Sequence, residues 1–219
     1  MSSKQYVVIG LGRFGASVAK TLYALGNDVL AIDNSEEAIQ EISDSVTHAV
    51  QVSGIEENAL KSLGIRNFDV AVIGMGSDIQ ASVMATLIVK ELGVKYVIAK
   101  AQNELHAKVL YKIGADRVIF PERDMGARVA HNLVSSNILD YLELSPDYSI
   151  AEIVAIPEWE GKSLREINMR IKYGINVMAI KRNEDINISP AADDVIVQGD
   201  ILVVISGTEE LNKIENKMK

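Results

Sequence analysis

The first 140 residues alternate between two patterns of hydrophobic and polar positions. Short apolar runs rich in Val and Ile predict buried parallel strands, at residues 6–9, 28–32, 46–52, 70–74, 96–101 and 117–120. The segments between them have the apolar spacing of helices, at residues 16–25, 35–43, 56–63, 79–92, 104–113 and 121–137. Strands that alternate with helices through short connections predict an α/β fold with a doubly wound parallel, Rossmann-like sheet.

The pattern changes near residue 138. The stretch 138–149 is apolar but short, and Ser145-Pro146-Asp147 breaks it, which indicates a connector. Further strands and helices then predict a smaller α+β domain, with strands at 149–155, 176–181, 185–189 and 200–206 and helices at 163–173 and from 208. We therefore expect a first domain at residues 1–140 and a second at residues 141–219.

Three glycines follow the first predicted strand in the spacing G-x-G-x-x-G. Gly10 allows the tight turn, Gly12 removes a side chain that would block a diphosphate, and Gly15 lets the helix pack closely on its strand. The first-turn amides of that helix point at a bound anion, and Arg13 and Phe14, within the glycine spacing, are further candidates for nucleotide contact. The spacing predicts a phosphate site at this turn.

The second predicted strand ends at Asp33, which Asn34 follows. A carboxylate at this position accepts hydrogen bonds from a ribose diol and repels a 2′-phosphate, so NADP is disfavoured. This order of elements predicts an adenosine-nucleotide site: a strand, a glycine turn, a helix, a second strand and then an acidic residue. A plain βαβ turn followed by an incidental Asp is the alternative.

The nucleotide should lie across the carboxyl ends of the parallel strands, so the loops at those ends supply further candidates. They are Ser53 and Gly54 after the third strand, the loop around Gly76 after the fourth, and Lys100 at the end of the fifth. Lys100 is suited to approach a phosphate as a point charge. A solvated lysine at a strand end is the alternative.

Arg13 lies inside the glycine spacing, where many dinucleotide enzymes carry an uncharged residue. A guanidinium beside the phosphates suits the terminal phosphate of ATP or ADP, or a phosphate held by a neighbouring subunit. An exposed arginine at the start of a helix is the alternative.

The composition excludes several classes of protein. The chain has no Cys, which rules out disulfides and thiolate zinc sites. Its formal net charge of −8 argues against a nucleic-acid surface. We expect neither a signal peptide nor a membrane-inserted segment, since the N-terminus has no basic stretch before an apolar core and no apolar run approaches about 20 residues. These features predict a soluble cytoplasmic protein.

Side chains for catalysis are scarce in the sequence. The histidines are His48, His106 and His131, and the last two fall on predicted helices, where isolated histidines are usually surface residues. The second domain has neither His nor Cys, and no Ser-His-Asp, zinc-protease or P-loop pattern is present. We therefore expect the nucleotide to be a signal and the protein not to be an enzyme.

Several segments together resemble one family. Residues 8–15, 31–33, 78–82, 112–119 and 121–126 are similar to the KtrA/TrkA family of cytosolic RCK proteins, regulators of potassium conductance. The likeness covers the whole chain, and the single RCK unit is closer to the KtrA form than to the duplicated TrkA form.

This resemblance implies a regulatory subunit of a potassium channel or transporter. The subunits would form homodimers and then an octameric ring at the inner face of the cell membrane, held there by a membrane partner of the KtrB type. ATP and ADP would occupy the Gly10–Gly15 turn, with Arg13 sensing the terminal phosphate across a subunit boundary. A cation would bind between subunits near Glu122.

The resemblance also makes the second domain an RCK-C domain, which in relatives binds cyclic di-AMP. A symmetric ligand on a twofold axis would meet the same residues from each subunit. Ile175 and Pro190 would then pack on adenine, Asn176 would hydrogen-bond, and Arg170 would approach a phosphate. The alternative from the residues alone is ordinary core for Ile175 and an exposed arginine for Arg170.

Two other functions remain open on the sequence. One is a small NAD-dependent oxidoreductase, and the other is an NAD(H)-sensing regulator of a different partner.

Overall fold

The computed structural model describes residues 4–134, 138–145 and 147–217. Contacts within the chain divide it into two compact units, Met1–Glu122 and Arg123–Lys219. This division falls in the first turn of the helix that begins at Pro121, whereas the sequence placed the boundary at residues 140/141. The sequence assigned this helix to the first domain, and the domain boundary at residues 140/141 stays a prediction.

Strands of the first unit form one parallel sheet. Among the described residues it has six strands in the order β3-β2-β1-β4-β5-β6, namely β1 (Gln5–Ile9), β2 (Asp28–Asp33), β3 (His48–Gln51), β4 (Val70–Ile73), β5 (Tyr96–Lys100) and β6 (Arg117–Ile119). The direction in which strands are added reverses between β1 and β4, and every neighbouring pair is parallel. The doubly wound sheet expected from the sequence is confirmed.

Helices follow each of these strands. They are α1 (Arg13–Ala24), α2 (Glu36–Ile42), α3 (Glu57–Ser62), α4 (Ile79–Glu91), α5 (Glu104–Lys112) and α6 (Pro121–Val134). Ser35, Asp78 and Asn103 cap the N-termini of α2, α4 and α5, because each side chain accepts a hydrogen bond from a first-turn amide. None of the helices, within the described ranges, combines the length and apolar character that crossing a membrane requires.

The sheet separates two hydrophobic clusters. Val7 and Ile9 of β1 pack in the cluster that includes residues of α3, α4 and α5, while Val8 between them packs in the cluster that includes residues of α1 and α2. Successive side chains of a strand point to opposite faces, so a strand covered by helices on both faces is apolar throughout. This explains why the sequence showed continuous apolar runs.

The second unit is built on an antiparallel sheet. Its described strands run in the order β10-β9-β11-β8-β7, with bounds β7 (Ile138–Ser145), β8 (Tyr148–Val154), β9 (Ile175–Arg182), β10 (Asp185–Asn187) and β11 (Ile201–Gly207). Its helices are α7 (Leu164–Ile167), α8 (Met169–Tyr173) and α9 (Thr208–Lys217). The fold class expected from the sequence, with a smaller α+β second domain, is confirmed.

Two predictions about the second unit were wrong in detail. The stretch read as a connector forms β7, which pairs antiparallel with β8 through a register that the apolar pattern does not report. The single helix expected at 163–173 is two short helices, since Asn168 adopts a left-handed conformation with φ of 55°. Asn137 and Pro146, where the sequence ended a helix and placed a turn, lie outside the described residues.

Candidate functional site

The glycine turn joins β1 to α1 at the carboxyl edge of the parallel sheet. Gly10 has φ of +93°, a conformation that glycine adopts without strain, and its N–H donates to Ile32 O at 2.8 Å. A Cβ added to Gly10 would lie 2.5 Å from Met75 Cγ and 2.8 Å from Met75 N. Glycine is therefore required at position 10 for two reasons: the turn needs a positive φ, and the loop after β4 packs too closely for a side chain.

Close backbone contacts explain why positions 15 and 74 are occupied by glycine. A Cβ on Gly15 would collide with the carbonyl oxygen of Gly10, and a Cβ on Gly74 would lie 2.5 Å from that same oxygen. Gly12 differs, because a Cβ there would meet nothing within 4 Å. The space beside Gly12 is therefore open, while at Gly10, Gly15 and Gly74 three backbone segments lie in close contact.

Asp33 is tied to the glycine turn by a contact that the sequence analysis did not foresee. The Leu11 N–H donates to Asp33 Oδ2 at 2.6 Å, and the Ser35 N–H donates to Asp33 Oδ1 at 2.8 Å. An ionised carboxylate offers about four lone-pair sites, so each oxygen keeps acceptor capacity for a ribose hydroxyl. Both contacts hold the carboxylate at the carboxyl edge of the sheet, beside the glycine turn.

Other residues predicted to contact the nucleotide lie around this turn, and their side chains differ in solvent exposure. Arg13 is exposed at the start of α1, while the Phe14 side chain is half-buried against the cluster on the α1 and α2 side. The Phe14 side chain is therefore part of the core, and only its backbone amide can serve an anion. Asn34 is exposed, and its backbone carbonyl oxygen accepts from Gln51 Nε2 at 3.0 Å.

Ser53 and Gly54 follow β3, and both are exposed. A Cβ on Gly54 would meet nothing within 4 Å. Their place at the carboxyl edge is as the sequence predicted, and their contact with a nucleotide stays a prediction.

Lys100 and Glu122 form an ion pair that sequence reasoning missed. The Lys100 ammonium donates to Glu122 Oε1, and the exposed fractions of the two side chains are 15% and 67%. The Lys100 side chain lies over Gly76, where an added Cβ would come within 2.9 Å of Lys100 Cε. A signal was present in the sequence, because Lys100 ends β5 and Glu122 follows the adjacent parallel strand β6.

The ion pair with Lys100 lowers the pKa of the Glu122 carboxyl. The hydrogen bond from Lys100 is the main cause that lowers the pKa of the Glu122 carboxyl, and the positive charge of Arg13 contributes less. Three charged groups that the sequence treated separately therefore act on one another at this edge of the sheet.

A cation site is not formed within the described part of one chain. No group of three or more His, Asp or Glu side chains there has the arrangement of a metal site. Glu122 alone would supply one carboxylate, so a cation at this position would need ligands from elsewhere.

His106 is buried, contrary to the surface position that the sequence predicted. Its side chain is only 3% exposed, whereas a surface position was predicted, and burial lowers the pKa of its imidazole. Nδ1 accepts from Gln102 N at 3.4 Å, so His106 supports the loop that follows Lys100. The side chain of His131 lies outside the described residues.

In the second unit, the predicted ligand residues fall into different environments. The exposed Arg170 donates through Nε to Asn176 Oδ1 at 2.9 Å, so these two side chains are brought together. Ile175 is fully buried in the core cluster of this unit, and its side chain cannot pack on adenine as the resemblance had suggested. Pro190 is half-buried in the turn after β10.

The parallel sheet with its glycine turn and Asp33 defines a Rossmann-like domain, here followed by a smaller α+β domain. Comparison with known families shows which family combines the two. Residues 6–121 match the TrkA-N domain and residues 150–219 match the TrkA-C domain. The chain therefore belongs to the KtrA/TrkA family.

Two relatives within the family are named as potassium uptake proteins. The chain is 48% identical to Ktr system potassium uptake protein C of Bacillus subtilis (strain 168), over 98% of this chain and 97% of the relative. It is 37% identical to Ktr system potassium uptake protein A of Vibrio alginolyticus, over 99% of this chain and 97% of the relative. This protein is a homologue of Ktr potassium uptake proteins.

The fold has been seen in a solved structure. The GsuK RCK domain superposes with a TM-score of 0.66 at 16% identity, over 98% of this chain and 47% of that chain. The likeness confirms the RCK fold.

Proposed function

We propose that this protein is a regulatory subunit of a membrane potassium channel or transporter of the KtrB type, and that nucleotides bound to its first unit control potassium flux. The observation that carries the proposal is the pairing of Asp33 with Leu11 beside the open space at Gly12. This arrangement offers a ribose acceptor beside the amides of a glycine turn that suit a phosphate. The Ktr homologues supply the biological setting.

ATP and ADP are the nucleotides that the charges favour. Arg13 and Lys100 both lie near the glycine turn, and two cations suit the several negative charges of a terminal phosphate. NAD(H) fits the same Asp33 carboxylate but has no terminal phosphate. We therefore infer a sensor of adenine nucleotides and not an oxidoreductase.

Assembly into homodimers and an octameric ring is supported by exposed apolar side chains. Residues Met125, Val129 and Leu133 recur every fourth position of α6 and are 48–81% exposed. Further exposed apolar residues lie on α4 and α5, at Ile79, Met84, Leu105 and Val109. Apolar helix faces of this kind are typical of subunit interfaces. A cation held by Glu122 would then take its remaining ligands from a neighbouring subunit.

The second unit is proposed to bind cyclic di-AMP. Arg170 supplies a cation for phosphate, Asn176 orients it, and Pro190 offers an apolar surface for adenine. The ring would stay in the cytoplasm at the inner face of the membrane through its membrane partner.

Potassium uptake tests this function directly. The chain would be produced together with a KtrB-type membrane subunit in cells that lack their own potassium uptake systems, and growth at low potassium would be measured. We expect growth only when both proteins are present, and in proteoliposomes a flux that differs between ATP and ADP. Equal uptake without this chain would overturn the proposal, and NADH oxidation with simple carbonyl compounds would support an enzyme instead.

A further inference from the structure

His106 closes the turn between β5 and α5 through two hydrogen bonds. Its backbone N–H donates to Oδ1 of Asn103, the N-cap of α5, at 2.9 Å, and its side-chain Nδ1 accepts from Gln102 N at 3.4 Å. In a capping box the residue three positions after the N-cap is Glu or Gln, and its side chain accepts from the backbone N–H of the N-cap. His106 occupies this position and accepts from the residue just before the N-cap. The acceptor in this turn is therefore a group that titrates near neutral pH.

The imidazole can make this contact only when it is neutral. Because Nδ1 accepts from Gln102 N, we place the proton of the neutral ring on Nε2. Nε2 is buried and has no hydrogen-bond partner within the described part of the chain. A protonated ring has two N–H donors and no acceptor, so its Nδ1–H would face the N–H of Gln102. Neither donor would then have a partner at the present position of the ring.

Two features of the surroundings disfavour the protonated ring. Its side chain is buried, and this burial is the cause that lowers the pKa of the imidazole. His106 also lies in the first turn of α5, where the positive end of the helix dipole opposes a cation. Charged side chains on α5 and the neighbouring elements are all more exposed than the ring, namely Asp78, Lys90, Lys100, Glu104, Lys108 and Arg117.

We propose that His106 is a pH-sensitive switch in the turn between β5 and α5, and that its protonation opens this turn and weakens nucleotide binding. A protonated ring gains partners for both N–H groups only by leaving its buried position for solvent. The turn connects Lys100, at the end of β5, to the start of α5, so its opening displaces the end of β5 at the nucleotide edge. The effect on nucleotides rests on the proposed function, whereas the switch itself does not.

The direction of the pH effect follows from the lowered pKa of His106. Above the unfolded pKa of about 6.5 the ring is neutral in both the folded and the unfolded chain, so its contact contributes fully to stability. As the pH falls from this value toward the lower folded pKa, the unfolded chain takes up the proton first and the contribution is lost. The closed turn is therefore stable at neutral pH and destabilised in mild acid.

NMR titration of the full chain, with histidine labelled at ring carbon Cε1, measures the switch without a nucleotide. We expect the His106 resonance, assigned by its loss in His106→Asn, to titrate with a midpoint below about 6.5. The amide resonance of Gln102 should shift with the same midpoint, because its acceptor is lost. This shift is measured in the unchanged protein, so the test stands even if His106→Asn does not fold. A midpoint of about 6.5 or higher would overturn the proposal.

Calorimetric titration of ADP at about pH 7.5 and about pH 5.5 tests the consequence for nucleotides. Asn at position 106 keeps an acceptor oxygen but does not titrate. Acid should therefore weaken ADP at least about threefold more in the unchanged protein than in His106→Asn, since one pKa unit corresponds to a factor of about ten. The phosphate of ADP also takes up a proton in this range, but it does so equally in both proteins.

His48→Asn is the matched control, because His48 is an exposed histidine on β3. This variant should keep the pH dependence of the unchanged protein. An equal pH dependence of ADP affinity in His106→Asn and the unchanged protein would overturn the proposal. If the unchanged protein binds no ADP at either pH, the proposed function fails, and the NMR titration still decides whether the switch exists.

Discussion

The backbone amide of Leu11 donates a hydrogen bond of 2.6 Å to Asp33 Oδ2, which joins the glycine turn to the end of the neighbouring strand. The carboxylate also accepts from Ser35 N at 2.8 Å, so its position is set from two sides. A group held in this way loses little conformational entropy when it binds a ligand. Asp33 is thereby both a part of the turn and a candidate ribose acceptor.

Asp33→Ala should weaken ATP, ADP and NADH together by at least about tenfold. Each charge-assisted hydrogen bond to a ribose hydroxyl contributes roughly 1.5–3 kcal/mol, and the Leu11 amide would also lose its partner. Calorimetry on the purified chain measures this, with Asp44→Asn on the exposed turn after α2 as the control. Normal ATP binding by Asp33→Ala would remove this residue from the site.

Gly12 and Gly15 should respond differently to the same substitution. Gly12→Ala should leave thermal stability nearly unchanged, since its Cβ meets nothing within 4 Å, whereas Gly15→Ala should lower it because its Cβ collides with Gly10 O. Gly12→Asp should abolish nucleotide binding while the protein stays folded, because bulk and negative charge would occupy the diphosphate position. Thermal melts and calorimetry together check this, and a destabilised Gly12→Ala variant would contradict it.

Arg13→Ala should weaken ATP more than ADP. Arg13 is exposed at the start of α1 and is expected to meet the terminal phosphate, while Asp33 and the glycine turn stay intact. Both nucleotides should therefore still bind. Titrations with ATP and ADP measure the ratio of the two affinities. Equal losses for the two nucleotides would favour the alternative of an ordinary exposed arginine.

Arg170→Ala should weaken cyclic di-AMP without affecting ATP. In the full chain we expect one cyclic di-AMP per two chains, since a symmetric ligand would lie on a twofold axis. Asn176→Ala should have a smaller effect in the same direction, because it loosens the Arg170 side chain that Asn176 Oδ1 holds at 2.9 Å. Asp33→Ala should bind this ligand normally. Saturation at one ligand per chain would exclude the twofold site.

Asp200 should make the second unit sensitive to acid. Its side chain is fully buried, and its two oxygens accept from Arg182 Nε and Nη2 at 2.8 Å each. The hydrogen bonds from Arg182 lower the pKa of this carboxyl below that of the unfolded chain, despite its burial. The pair therefore stabilises the fold above the unfolded pKa of about 3.9, and the contribution is lost as the pH falls through the lowered folded pKa.

Asp200→Asn should accordingly reduce the free energy of unfolding at pH 7 by about 1.5–3 kcal/mol. The difference from the unchanged protein should shrink as the pH falls below about 4. Denaturant titrations across this pH range measure both effects. Asp193→Asn is the matched control, because the Arg165–Asp193 pair has similar geometry but is solvent-exposed, and its effect should be much smaller.

Much of the first unit could be predicted because its signals are local. A parallel sheet covered on both faces demands apolar strands, and the glycine spacing with Asp33 reports a turn whose backbone needs those residue types. Boundaries shifted by a few residues, as at β3, where the predicted strand 46–52 is observed at His48–Gln51. The strand β7 was missed because a short apolar run beside a turn signal does not distinguish a strand from a connector.

The sequence by itself determined the class of fold, the position of the glycine turn and the acid that faces it, since each depends on residue types within a short span. Tertiary structure alone decided which distant side chains meet. It placed Lys100 against Glu122 and buried Ile175 and His106. The physical reason is that strand order and helix packing bring together residues far apart along the chain, and no local pattern records those contacts.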